Sequence, residues 1–143
     1  VSIAIELGSR GREGKTVGAL FVIGDTDRVL AMSRQLVINP FRGYVSEERN
    51  VLDDNMEETI KEFSTIDGAF LIRGDGTIES CGTFLKTFHS NTHLPHGWGA
   101  RHHVAAGITS VTKAISITVS ESTGAVTIFR SGHVVTRIEK SRI

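Results

Sequence analysis

The sequence predicts an α/β domain of the α+β type, in which a mixed, mostly antiparallel central sheet is flanked by helices. Three observations predict it. Two strand-length apolar runs, residues 17–24 and 66–72, lack the alternation of a half-exposed strand, which marks strands covered on both faces. Residues 114–138 alternate apolar and polar positions between tight turns, as a strand meander does. Two further stretches, 53–64 and 100–111, repeat their apolar positions at helical spacing and supply the covering layers. At 143 residues the chain is one domain's worth, long enough to bury a substantial core.

Taken in order, residues 2–10 read as a short helix stopped at Gly11, with Arg10, Arg12 and Lys15 near its C-terminal end. The apolar run 17–24 follows as a buried strand. Asp25-Thr26-Asp27 then turns the chain, and Val29-Leu30-Ala31-Met32 reads as the returning strand of a hairpin. Asn39-Pro40-Phe41-Arg42-Gly43-Tyr44 is a loop, because Pro40 forces Asn39 away from helix and Gly43 permits a turn. In the helix over 53–64, Asp53 or Asp54 caps the start and Met56, Ile60 and Phe63 share one face. The run 66–72 is the second buried strand, and Gly74-Asp75-Gly76 turns it into a strand over 77–84. Residues 86–98, rich in His, Asn and Gly, are an irregular loop before the long helix. Strands over 114–119, 125–130 and 134–138 close the chain.

Composition excludes several classes of function. Lys plus Arg and Asp plus Glu both total 16, so the formal net charge is zero and there is no basic excess for holding nucleic acid directly. The single cysteine, Cys81, cannot form an internal disulfide and reads as a packed strand residue rather than a catalytic thiol. No stretch approaches the roughly 18–20 apolar residues that cross a bilayer. The start, Val1-Ser2-Ile3-Ala4-Ile5, lacks the basic and apolar regions of a signal peptide and lacks an initiating Met. The expectation is therefore a single cytoplasmic domain over residues 1–143, excised from a longer protein.

Chemistry has three candidate seats. Asp67 interrupts the apolar run 66–72, where a buried carboxylate is costly without a cation, a metal or hydrogen bonds. Gly68 beside it removes a side chain, as a close ligand would require. Equally, Asp67 can be a strand-start residue capping a turn. In Gly97-Trp98-Gly99-Ala100-Arg101-His102-His103 the glycines permit close approach, and a helix begins whose free N–H groups and positive dipole end suit a phosphate. Arg101 offers a bidentate phosphate donor, and the cations in that first turn oppose the dipole unless an anion joins them. The alternative is a surface helix with scattered basic residues. In Ser120-Glu121-Ser122-Thr123-Gly124 turn chemistry explains all but Glu121, which is left as a potential metal ligand. His89, His93 and His96 do not make a zinc site, since ligand pairs of the usual spacing are missing.

These elements, in this order, resemble the diadenylate cyclase (DAC) domain family. The matching stretches are Gly18-Ala-Leu-Phe-Val-Ile-Gly-Asp25, Asn39-Pro-Phe-Arg-Gly-Tyr44, Asp67-Gly68-Ala69, Gly99-Ala100-Arg101-His102-His103 and Val119-Ser120-Glu121-Ser-Thr-Gly124. The resemblance implies the DAC-domain fold and the condensation of two ATP into 3′,5′-cyclic di-AMP with release of two pyrophosphates. It gives Asp67 the divalent metal (Mg²⁺ or Mn²⁺) and the attacking ribose hydroxyl, while Glu121, from its place in the turn, is a candidate to ligate the metal or to order the site. It assigns catalytic roles to Arg101 and His102 beside Asp67. It places ATP against Gly68, Ala69, Gly99, Ala100, Arg101, His102, His103 and Ser120, with Leu85 bordering the adenine. It further implies a homodimer or higher homo-oligomer, because two protomers must face each other for each 3′-hydroxyl to meet the other ATP.

Two positions depart from the family pattern. His103 stands where the usual motif has Arg, so a permanent charge becomes titratable, and Ala100 stands where many members carry Thr, losing a hydroxyl. Both imply a weaker phosphate grip, and His103 a more pH-sensitive one. Beside the enzyme stand two other readings. One is a sensor that holds ATP or cyclic di-AMP with weak or no turnover, and the other is a purely structural domain. Asp67 separates the first two, since a sensor has no need of it.

Overall fold

The central strand explains the rest of the architecture. In the computed structural model, which describes residues 1–86 and 94–140, β1 (Ala19–Ile23) is buried along most of its length. Ala19 and Phe21 point to one face of the sheet, Leu20 and Val22 to the other, and helices cover both. Its neighbour β3 (Ala69–Ile72) is built the same way, and Phe21 and Phe70 stack with ring centroids 5.0 Å apart. An unbroken apolar run is what a strand covered on both faces requires.

The other elements are α1 (Ser2–Arg10), α2 (Thr26–Ala31), β2 (Ser33–Gln35), α3 (Glu57–Phe63), β4 (Ile78–Leu85), α4 (Ala100–Val111), β5 (Ile115–Val119), β6 (Val126–Arg130) and β7 (His133–Ile138). The described strands form one sheet in the order β2-β4-β3-β1-β5-β6-β7. β1 and β3 run parallel, and the remaining pairings among the described strands are antiparallel, as the sequence led us to expect of a mostly antiparallel sheet. α1 and α3 cover one face through Ala4, Leu7 and Ile60. α4 and α2 cover the other through Ala105, Ile108 and Val29, which pack with Leu71 and Phe129. Each fully buried Val, Leu, Ile or Phe side chain among these contributes about 1.5–3 kcal/mol. Lys61 of α3 ties the first pair of helices together, its Nζ lying 2.7 Å from Glu6 and 3.2 Å from Glu57.

Several expectations hold. The helix at 2–10 ends at Gly11, whose N–H donates to the Leu7 carbonyl at 2.8 Å. The 74–76 turn forms, with Gly76 N donating to Arg73 O and Thr77 N to the Asp75 carboxylate, both at 2.9 Å. Cys81 is buried on β4, and burial pushes its thiol up to about 11, which leaves it protonated and unreactive. No helix among the described residues is long and apolar enough to cross a membrane.

Three expectations are corrected. The returning strand at 29–32 is instead the helix α2. Asp25 adopts a left-handed conformation (φ 45°) and its carboxylate accepts from Lys113 N at 2.8 Å, which lifts the chain off the sheet. Val29 N then donates to Asp25 O at 3.0 Å in a helical turn, and the antiparallel partner of β1 is the distant β5. The 53–64 helix is in two parts, a 3₁₀ turn at Asp54–Met56 and then α3. Asp53 caps the first by accepting from Asn55 N at 3.0 Å, while Ile60 is buried as expected. The second apolar strand begins at Ala69 rather than Ile66. Residues 66–68 form a bend, and Asp67 is exposed, so it carries no burial cost.

Candidate active site

Five separate stretches of chain meet at the edge of the sheet where β1 and β3 begin and β5 and β7 end. Between them is a cleft of about 870 Å³, walled by Thr16 before β1, Asp67 and Gly68 before β3, residues 96–102, residues 119–123 after β5, and Arg137 on β7. The cleft therefore brings together Asp67, Gly68, Gly99, Ala100, Arg101, His102, Ser120 and Glu121. Ala69 and Leu85 are buried in the core on the α4 face and are not among its walls. His103 is exposed and off the cleft, though its N–H donates to Gly99 O at 3.3 Å. His96 lines the cleft, whereas His89 and His93 lie outside the described residues.

α4 starts as the Gly97–Gly99 pattern dictates. Gly99 is extended at the N-cap position, where it supplies no side-chain cap, and the first turn has no acidic residue. The opening N–H groups are thus turned to the cleft without an internal carboxylate to meet them. Arg101 is half-buried and makes no ion pair or hydrogen bond among the described residues. It lies across Gly18, where a Cβ would come within 2.5 Å of its Nη1 and 3.2 Å of the Glu121 Cβ. The absence of a side chain at Gly18 is thus what lets Arg101 reach the cleft beside Glu121. Asp67 and Glu121 are exposed carboxylates that likewise have no ion pair among the described residues. Ser120 serves its own hairpin, with its hydroxyl accepting from Thr123 N at 3.2 Å.

Gly68 owes its identity to the chain itself. Its φ is 105°, and a Cβ there would meet the carbonyl carbon of Gly82 and the nitrogen of Thr83, both at 2.6 Å. The β4 backbone occupies the space that the sequence reserves for a ligand, while Gly68 still lines the cleft.

His102 is buried against two rings. Trp98 lies 4.7 Å away in a tilted arrangement and Phe129 lies 6.3 Å away, edge-on. Burial, and then the positive charges of Arg137, His103 and Arg101, hold its pKa below the usual 6.5. A histidine whose folded pKa is depressed binds its proton more readily in the unfolded chain. Stability is therefore full above about pH 6.5 and is lost as pH falls below it. We expect the urea midpoint to drop across that acid range and to drop less in His102→Gln; equal slopes in both proteins would remove His102 as the cause.

Sequence reasoning missed Arg137 and Thr16 altogether and gave Trp98 no role. Nothing local marks them. Arg137 reaches the cleft only because β7 pairs with β6 in the register Thr127 to Arg137. Its guanidinium stands over Trp98, 5.6 Å from the ring centroid, and its Nη1 is 3.3 Å from the Glu139 carboxylate.

Together the sheet and cleft define an α/β domain in which two carboxylates and two guanidiniums line a cleft that includes a helix N-terminus, a setting for a phosphorylated ligand. The family model described as "DAC: DisA bacterial checkpoint controller nucleotide-binding" matches residues 6–134, and the chain belongs to this family. Named diadenylate cyclases of two archaea are similar to it. The protein of Methanocaldococcus jannaschii is 45% identical over 135 residues, covering 94% of this chain and 42% of the relative. That of Haloferax volcanii is 40% identical over 137 residues, covering 96% and 50%. The chain thus spans half or less of the curated relatives' length. Among solved structures, a double cysteine mutant of DacA from Staphylococcus aureus shares the fold with a TM-score of 0.65, 21% identity, and coverage of 95% of this chain and 81% of that one. A hypothetical membrane-spanning protein of Bacillus cereus does so at 0.70 and 19%, covering 96% and 60%.

Proposed function

We propose that the chain is a diadenylate cyclase, condensing two ATP into 3′,5′-cyclic di-AMP across two facing copies of the domain. The observation that carries this reading is the meeting of Asp67, Arg101 and the uncapped start of α4 in one cleft. Family membership and the two archaeal relatives support it.

In each half-reaction a ribose 3′-oxygen of one ATP forms a bond to the α-phosphorus of the other. The bond from that phosphorus to the bridging oxygen of the leaving pyrophosphate breaks, and the hydroxyl proton passes to solvent. Two such steps close the ring and release two pyrophosphates. Displacement of this kind needs positioning and charge neutralisation, not a protein nucleophile, which agrees with the inert Cys81. Arg101 and the α4 N–H groups hold the triphosphate and stabilise charge on the leaving group. Asp67 orients the attacking hydroxyl. His102, kept neutral by burial, fixes the Trp98 wall rather than adding charge.

A cluster of three His, Cys, Asp or Glu able to hold a metal is absent among the described residues. The cleft does offer Asp67 and Glu121, both unpaired there. This fits Mg²⁺ or Mn²⁺, hard ions that take one or two carboxylates and complete their shell with phosphate and water. When bound, the ion screens the triphosphate and makes the hydroxyl more acidic.

Incubation with ATP and either metal should yield cyclic di-AMP by mass spectrometry, at a rate that rises more steeply than linearly with protein concentration when the protein is dilute. ATP binding without product under every metal tried would replace the enzyme with a sensor. Undiminished activity in a protein shown to be monomeric at the assay concentration would remove the facing pair.

A further inference from the structure

Arg137 is a charged cleft residue for which the reading above has no use. Its strand lies at the edge of the sheet and is exposed along most of its length, so fold stability gives it little to do. Yet its guanidinium is held over the indole of Trp98, which in turn rests on His102 and Phe129. A guanidinium laid on an aromatic face keeps its N–H donors at its rim, free for a planar or tetrahedral oxyanion. One of them now meets Glu139 at 3.3 Å, and both partners are open to solvent, the side chains being 38% and 72% exposed. An ion pair of that kind is worth little and is readily exchanged. Arg101, from a different element, faces the same cleft and has no carboxylate partner among the described residues.

We propose that Arg137 is a second triphosphate-binding residue, parked on Glu139 in the free protein and transferred to phosphate oxygens when nucleotide enters, with Trp98 as its platform. The proposal rests on the nucleotide-condensing reading and adds to it a residue from the far edge strand. Glu139 then acts as a competitor for the guanidinium, so removing its charge tightens binding instead of weakening it.

The test is calorimetric titration of the chain with ATP and, separately, with inorganic tripolyphosphate, in wild type, Arg137→Gln, Arg137→Lys and Glu139→Gln. Trp98 is the chain's one tryptophan, so its fluorescence reports the stack without ambiguity. In wild type the emission changes on adding either ligand. Arg137→Gln weakens both ligands by roughly 10- to 100-fold, the loss of a charged hydrogen-bonding partner. Arg137→Lys falls between, because Lys keeps the charge but not the fork. Glu139→Gln binds both ligands more tightly than wild type. Unaltered affinity in Arg137→Gln, or in Glu139→Gln, overturns the proposal. Should Arg137→Gln not fold, the other two variants decide it. A wild type that binds and condenses ATP with an affinity indifferent to these changes sinks this inference alone. A wild type that binds neither ligand sinks the reading beneath it.

Discussion

Asp67→Asn is expected to leave the chain folded and to lower cyclic di-AMP formation at least about a hundredfold, the scale on which one preorganised electrostatic group acts at a reacting centre. Asp67 is exposed in the bend before β3 and has no ion pair or hydrogen bond among the described residues, so the fold does not depend on its charge. Asparagine keeps the shape and one oxygen while removing the negative charge that would hold a metal. The urea midpoint should stay at the wild-type value while product, quantified by mass spectrometry, disappears. Arg101 and α4 are untouched, so calorimetry should still detect ATP. A variant that keeps full activity would mean that the carboxylate is only a turn residue, the simpler reading its sequence position allowed.

The neighbouring residue should fail in the opposite manner. Gly68→Ala places a methyl group 2.6 Å from the β4 backbone at Gly82 and Thr83, at a φ of 105° that alanine rarely adopts. Backbone strain and overpacking each cost about 1–3 kcal/mol, and here neither can relax through a flexible side chain. A loss of roughly 2–6 kcal/mol is expected, read from urea unfolding, with activity falling because the bend that carries Asp67 is displaced. If Gly68→Ala were as stable as wild type yet inactive, the glycine would be serving the nucleotide and not the strand pairing. The two substitutions, one residue apart, thus separate chemistry from architecture.

Much of the fold is legible in the sequence. The long helix falls at Ala100–Val111, where the spacing of Ala100, Val104, Ala105, Ile108 and Val111 put it, and the closing meander forms as expected. Both patterns are long enough for periodicity to separate helix from strand. The segment at 26–31 was too short for that. Val29 and Leu30 suit either state, and the deciding contact, Asp25 to the Lys113 nitrogen, spans 88 residues. The site divides along the same line. Residues gathered in local motifs, such as Gly99 to His102, could be found from sequence. Arg137 and Thr16 enter only through strand register. Asp67 was noticed for the wrong reason, since the buried carboxylate that made it conspicuous is in fact exposed. Ala69, in the Asp67-Gly68-Ala69 motif, and Leu85, which the resemblance sets beside the adenine, are both buried in the core.

The walls of the cleft come from chain segments between Thr16 and Arg137, and the strand bearing Arg137 is the last to be added. A sheet that has lost β7 lacks Arg137 and with it one wall of the cleft. A ligand that spans the cleft therefore favours the sheet with β7 in place. By mass action such a ligand stabilises the native state by RT ln(1 + [L]/Kd), about 2.7 kcal/mol at a hundred times Kd. A ligand filling the cleft would thus hold β7 against β6, so that fraying of that edge and vacancy of the cleft become one equilibrium.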